Sequence, residues 1–284
     1  MKRLIVCAVL LAPLAALAAD FRWRSAQRWS AIQTPKPGPA RAIGAYNAGC
    51  IQGAVPLQAT GPGFEVMHLG RHRYFGHPVL VGFVRRLATR ASAARLPALL
   101  IGDLGQARGG PTPSDHGSHQ SGLDVDVAYT RPIDMLQQPI PAEDREGLQP
   151  PAVVDLASGK LTPAWRPQIA DLLELAATDP VVDRIFVNAA VKRELCARAK
   201  PGTAWLGKLR PWWKHHDHFH VRLRCPPGSA ECRPQPPVPA GEGCDETLAW
   251  WIGRDAHTPR APRVVRPPRA RLAALPRQCQ QVLR

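Results

Sequence analysis

Two stretches hold the side chains that could do chemistry. In Ser118-His119-Gln120-Ser121-Gly122-Leu123-Asp124-Val125-Asp126-Val127 a turn-rich loop runs into a segment that alternates carboxylates with aliphatics. Far downstream, His215-His216-Asp217-His218-Phe219-His220-Val221-Arg222-Leu223 alternates histidines with apolar residues. A strand sends residues i and i+2 to one face. Asp124 and Asp126 therefore share one face of a first strand, and His218, His220 and Arg222 share one face of a second. His119 and Asp126 would lie roughly 23 Å apart on a straight strand, so the chain must turn between them, and Ser121-Gly122 supplies the flexible point. His218 and His220 lie about 7 Å apart, close enough for one to bind a metal and the other to reach a water held by it.

Zinc takes histidine nitrogen and aspartate oxygen, and catalytic sites keep three protein ligands and an open position. His119, Asp126 and His220 fill that set. Alternating polar residues also occur on half-exposed strands with solvated histidines, but the distribution weighs against that here. Of ten histidines, five are His119, His215, His216, His218 and His220, a sixth is His116, and none lies between His119 and His215. A serine triad built on Ser114 or Ser118 lacks a Gly-x-Ser-x-Gly elbow. In this arrangement His218 is the general base, passing the proton of water to a leaving amine, and His215 is a secondary acid–base or transition-state group. Asp124 orients a ligand histidine from behind, or is a solvated strand residue.

The spacing from His119 to Asp126, followed by His218-x-His220, resembles the signature of the LAS metallopeptidases. Within them the chain is similar to the penicillin-insensitive murein endopeptidase family from about Tyr46 to Trp251. The similarity includes Arg73-Tyr74-Phe75-Gly76-His77-Pro78, the block from Ser118 to Asp126, Arg184-Ile185-Phe186-Val187-Asn188 and His220-Val221-Arg222-Leu223-Arg224-Cys225. This resemblance implies hydrolysis of the D-alanyl–meso-diaminopimelyl cross-bridge of peptidoglycan by a periplasmic zinc enzyme indifferent to β-lactams. It places His116 where relatives hold a second metal, yet no histidine lies between residues 120 and 214 to complete such a site, so one zinc per chain is expected. The alternatives are a D,D-carboxypeptidase or dipeptidase of the same metal class and a non-catalytic peptidoglycan-binding protein. The former usually carries a glutamate shortly before its last ligand histidine, whereas this chain reads Lys214-His215-His216-Asp217-His218.

The elements that must position these residues can be read around them. Residues 1–19, with Lys2, Arg3, an apolar run and Ala16-Leu17-Ala18, fit a signal peptide. No later stretch is long and apolar enough for a transmembrane segment. Cys50, Cys196, Cys225, Cys232, Cys244 and Cys279 remain, and disulfides are the default in an exported chain. Proximity in sequence favours Cys225–Cys232; the family resemblance implies Cys50–Cys279 and Cys196–Cys244.

A metallopeptidase domain is expected over residues 20–252. Helices are predicted over Pro78–Arg95, Pro163–Ala177 and Ala189–Ala199, and strands over Leu96–Gly102 and Asp183–Asn188. Residues 131–162 read as a long proline-rich surface excursion beside the cleft. The expected architecture is α+β: an antiparallel sheet carrying the ligands, flanked by helices, with long loops around a cleft. Tyr74, Phe75, Trp205, Trp212 and Trp213 are candidates to line it.

The formal charge is +15, or +13 without Lys2 and Arg3, and residues 253–284 carry eight arginines against one acid. Such a run is a solvated arm or a tether to an acidic polymer. In an exported chain the polymer is an envelope anion rather than nucleic acid, and a Cys279 disulfide would staple the arm to the body. Nothing in the patterning specifies an oligomeric state.

Overall fold

Short aliphatic strands build the sheet that carries both motif stretches. The structure, a computed structural model, describes residues 25–114, 117–199, 203–253 and 275–284. The expected signal peptide, His116 and residues 254–274 of the basic arm lie outside them. In chain order the first elements are β1 (Arg41–Ala45), β2 (Ala48–Gln52), β3 (Val55–Pro56), β4 (Thr60–Gly61), β5 (Phe64–Val66), β6 (Phe75–Gly76), α1 (Pro78–Ala93), β7 (Leu99–Ile101) and β8 (Asp124–Ala128). Then come α2 (Ala142–Glu146), β9 (Val154–Asp155), β10 (Lys160–Leu161), α3 (Gln168–Thr178), β11 (Val182–Val187) and α4 (Ala189–Arg198). The last are β12 (Leu209–Pro211), β13 (His218–Leu223), α5 (Glu246–Ile252) and α6 (Arg277–Leu283).

The main sheet has the order β12-β11-β13-β8-β7-β5-β4. Its centre is antiparallel, but β11/β12 and β5/β7 are parallel pairs, so the α+β sheet is mixed rather than purely antiparallel. Parallel neighbours need a crossover between them, and α1 supplies it from β5 to β7. Pro78 at the first helical position and His77, whose Nδ1 accepts from Val79 N, start α1. Its Leu80, Phe83, Val84, Leu87 and Ala91 face the core, joined by Ile169, Leu172 and Leu173 of α3 and by Val125, Val127, Phe219, Val221 and Leu223 of the sheet. Helices therefore cover one face of β8 and β13, and the alternate residues of those strands point to the other.

β8 is buried along its whole length and β13 after its first residue, so neither is a half-exposed strand. Helix α3 begins at Gln168, later than the periodicity predicts, because Pro167 stands at its N-cap. The excursion over 131–162 is more ordered than its composition suggests. It holds a turn of 3-10 helix at Ile133–Met135, then α2 and the β9–β10 hairpin. Two buried arginines pin it. Arg131 pairs with Glu65 at 2.9 Å, and Arg145 donates to the carbonyls of Ala59 and Val66.

Cys50–Cys279, Cys196–Cys244 and Cys225–Cys232 are disulfide-bonded. The first seats α6 on β2, where Cys279 and Val282 bury against Trp29, Ile43 and Cys50. The second ties α4 to the loop that leads into α5. Among the described residues, no helix is long and apolar enough to cross a membrane.

Candidate metal centre

Register across the sheet sets the site out in two rows. Asp126 on β8 pairs with His220 on β13, which pairs with Phe186 on β11, which pairs with Arg210 on β12. One step along, Asp124 pairs with Arg222 and Arg222 with Arg184. Both rows lie on the face opposite the helices.

His119 reaches the first row from the loop before β8. Its φ of 65° and the φ of 72° at Gly122 make the turn that the separation of His119 and Asp126 demands. At Gly122 a side chain would be strained, and a Cβ there would stand 2.5 Å from Ile51 Cδ1 and 3.2 Å from His77 N, so the Ile51 side chain would have to shift. The His119 N–H donates to Asp124 Oδ2 at 3.1 Å, and its Nδ1–H donates to the Leu104 carbonyl at 2.8 Å. That second bond fixes the tautomer and presents Nε2, which lies 3.4 Å from Asp126 Oδ2.

His220 uses its ring the other way round. Nε2–H donates to Asp124 Oδ1 at 2.9 Å, and Nδ1 faces Asp126 Oδ1 at 3.0 Å. Donor atoms of His119, Asp126 and His220 all lie within 4.8 Å of one another, and all three residues are buried. Two imidazole nitrogens and a carboxylate, each ring held from behind by a fixed acceptor, form a donor set that suits a divalent metal ion.

The electrostatics favour a cation at this point. Burial works against a charged His119, yet the carboxylates of Asp126, Asp124 and Asp103 outweigh it and raise its pKa to about 9. Burial likewise penalises the Asp126 carboxylate, but His119 and His218 hold it well below the usual range. Asp124 is buried too and is held low by Arg222 and then His220. It is therefore no solvated strand residue. Its two oxygens serve His119 N–H, His220 Nε2–H and Arg222 Nε, the last at 2.7 Å. The guanidinium of Arg222 is itself stacked, 4.3 Å from the Tyr46 ring centroid and 5.0 Å from that of Phe186.

His218 stands at the mouth of the cluster with Nε2 3.9 Å from Asp126 Oδ1. Its Nδ1–H donates to Asp217 Oδ1 at 2.7 Å. Burial lowers its pKa, but Asp126 and then Asp217 raise it more. His215 stacks beside it, ring centroids 5.1 Å apart, and donates Nδ1–H to the Trp213 carbonyl at 2.8 Å. Burial, reinforced by His220 and His218, brings its pKa down to about 3, so the ring is neutral and offers Nε2 as an acceptor. The residues expected to do chemistry are thus brought to one place, apart from His116, which lies outside the described residues.

Two cavities flank the cluster. One, of about 450 Å³, is lined by His215, His220, Phe186, Trp212, Trp251 and Arg210 among others. The other, of about 220 Å³, is lined by Asp126, His218, Asp103 and Arg71, with Gln149 and Pro150 of the excursion closing its rim. Of the aromatic candidates, Trp212 lines the larger cavity. Phe75 instead buries with Ile51, Ala54 and Ala107, with Tyr74 packed against that cluster, and Trp205 packs on the main core.

Several contributors have little signature in the sequence. Asn188 caps α4 through Ala190 N and donates to the Lys214 carbonyl, holding the turn at Lys214 and His215, whose φ values are 60° and 46°. Leu104 acts through a backbone carbonyl. For Asp217 the only local clue is an acid next to a histidine, since strand alternation would send the two to opposite faces.

A family model described as penicillin-insensitive murein endopeptidase matches residues 42–284. A penicillin-insensitive murein endopeptidase of Klebsiella pneumoniae subsp. pneumoniae is 42% identical over 274 residues, covering 95% of this chain and 96% of its own length. One of Citrobacter koseri is 42% identical over 263 residues, covering 91% and 92%, and one of Escherichia coli strain K12 is 41% identical over 286 residues, covering 99% and 97%. Similarity that runs nearly end to end on both sides, with every strand of the two side-chain rows inside the matched span, means that the chain belongs to the penicillin-insensitive murein endopeptidase family.

Proposed function

We propose that this chain is a periplasmic, zinc-dependent endopeptidase that hydrolyses the D-alanyl–meso-diaminopimelyl cross-bridge of peptidoglycan. The observation that carries the reading is the buried cluster of His119, Asp126 and His220, with His218 and its Asp217 partner at the mouth. The names of relatives 41–42% identical to it supply murein as the substrate, and the family resemblance supplies the cross-bridge. Zinc held by the three ligands, one ion per chain, would supply Lewis acidity, polarising the scissile carbonyl and lowering the pKa of a water to about 7.

The chain's own residues do the rest. His218 takes the proton of the attacking water at Nε2 and returns it to the leaving amine, while Asp217 accepts the Nδ1–H and steadies the charged ring. His215, neutral, serves as the secondary acid–base or transition-state group. Asp124 and the Leu104 carbonyl keep the two ligand rings aimed, which limits reorganisation during the reaction. No acyl-serine is formed on this route, so β-lactams have nothing to acylate. Three disulfides support an oxidising compartment, and the signal-peptide pattern of residues 1–19 supports export. In this reading the metallopeptidase domain spans residues 20–252, with the basic arm after it a tether to envelope anions.

Digestion of purified cross-linked muropeptide dimers, read by mass spectrometry, tests the reading. Dimer should become monomer, activity should vanish with a chelator, and zinc should restore it. Dimers that survive while the protein holds stoichiometric zinc would instead point to a non-catalytic peptidoglycan-binding protein.

A further inference from the structure

Arg210 occupies the far end of the row that begins with the metal ligands. It faces Phe186, and Phe186 faces His220, so two strand spacings, roughly 10 Å, separate the Arg210 backbone from that of His220. Both residues line the 450 Å³ cavity.

The other guanidinium groups of this wall are committed. Arg184 pairs with Asp183 at 2.6 Å and donates to the Pro236 carbonyl, while Arg222 serves Asp124 and Gln235. The Arg210 side chain has no hydrogen bond or ion pair among the described residues. Its electrostatic neighbours are Arg184 and Lys192, which repel it, and Asp245, which attracts it but is already engaged in capping α5. A half-buried cation pressed against a like charge is costly unless something anionic completes it.

Aromatic rings wall the same cavity, with Phe186 and Trp212 packed edge to face, ring centroids 5.7 Å apart. A carboxylate fits the guanidinium fork in two parallel hydrogen bonds.

We infer that Arg210 forms a carboxylate subsite that selects the residue on the amine side of the scissile bond. The inference rests on the endopeptidase reading for the identity of that residue. In a meso-diaminopimelyl cross-bridge the carbon bearing the scissile nitrogen also bears a free carboxylate. On this assignment the scissile carbonyl sits at the metal cluster and that carboxylate enters the 450 Å³ cavity that Arg210 and His220 share. Arg210 is a specificity residue in this scheme and takes no part in proton transfer.

The test uses the zinc-loaded full-length protein and calorimetric titration with two probes. One is the uncross-linked tripeptide L-alanyl-γ-D-glutamyl-meso-diaminopimelate. The other is the same peptide amidated only at the carboxyl beside the free amine that the cross-bridge would use. The wild type should bind the acid at least about tenfold more tightly than the amide, as expected for one charge-assisted bidentate contact. In Arg210→Gln the two affinities should converge to within about twofold, both near the wild-type value for the amide, and Arg210→Lys should fall between because it keeps the charge but loses the fork. A wild type indifferent to amidation or binding neither peptide, a glutamine variant that keeps the preference, or one that weakens both probes equally would each overturn the subsite. Dimer cleavage followed in parallel separates the two readings. Cleavage without acid preference sinks the subsite and leaves the endopeptidase standing, whereas acid-selective binding without cleavage does the reverse.

Discussion

Asp124 and Arg222 form a buried ion pair directly behind the cluster of His119, Asp126 and His220, with Arg222 Nε donating to Asp124 Oδ1 at 2.7 Å. The same oxygen accepts from His220 Nε2, and the other accepts from the backbone of His119. One carboxylate therefore orients two candidate metal ligands that stand 101 positions apart in the sequence.

Asp124→Asn keeps an acceptor for His220 but withdraws the charge that balances Arg222. Removing one partner of a buried pair costs about 3–5 kcal/mol, and losing an outer hydrogen bond to a ligand lowers metal affinity about 10–100-fold. Urea unfolding and zinc competition against a fluorescent chelator should show both losses together. Unchanged zinc affinity would remove Asp124 from the site.

His218 and the ligands should separate by readout. His218→Ala should keep one zinc per chain and lose activity by about 10²–10⁴-fold, the usual yield of general acid–base catalysis. His119→Ala and His220→Ala should lose the metal itself. Elemental analysis beside dimer digestion distinguishes the cases, and loss of zinc from the His218 variant would reassign it as a ligand.

Zinc binding should release a proton and strengthen as pH rises. In the metal-free protein the His119 pKa is raised to about 9, so at pH 7 a proton occupies the nitrogen that a metal needs. Binding must expel it, so affinity falls as pH drops below 9 and levels off above it. Calorimetry at pH 7 in buffers of different ionisation enthalpy should report about one proton released per zinc. A heat independent of buffer would contradict the raised pKa.

The turn at Gly122 is a mechanical condition for the site. Gly122→Ala must hold a side chain at φ 72° with its Cβ 2.5 Å from Ile51 Cδ1. Strained backbone of this kind costs about 1–3 kcal/mol, and any relief moves His119 relative to Asp126. A lowered Tm with weaker zinc binding is the expected pair, and a wild-type Tm would show that the turn tolerates a side chain.

Much of the site was legible because its ligands obey local rules. Period-2 alternation assigned Asp124, Asp126, His218, His220 and Arg222 to one side of two strands and their aliphatic neighbours to the core, and the helical spacing of Val81, Val84 and Leu87 marked α1. Backbone geometry alone sets those patterns, so they survive without knowledge of the rest of the chain. The length of the gap between His119 and Asp126 also required a turn, and a glycine stood there to make it.

Only the tertiary structure decided how the parts meet. Pairing of β13 with β8 and β11, and of β11 with β12, created the rows that put Arg210 in line with His220 and locked Asp124 against Arg222. Asp217 turns to His218 at the strand's start, where alternation does not yet hold. The 131–162 segment is ordered by Arg131 on Glu65 and by Arg145 on two distant carbonyls, contacts that its proline-rich composition conceals. The physical reason is common to all of these. They join residues far apart in the chain, and an interaction between distant segments leaves no periodicity in either one.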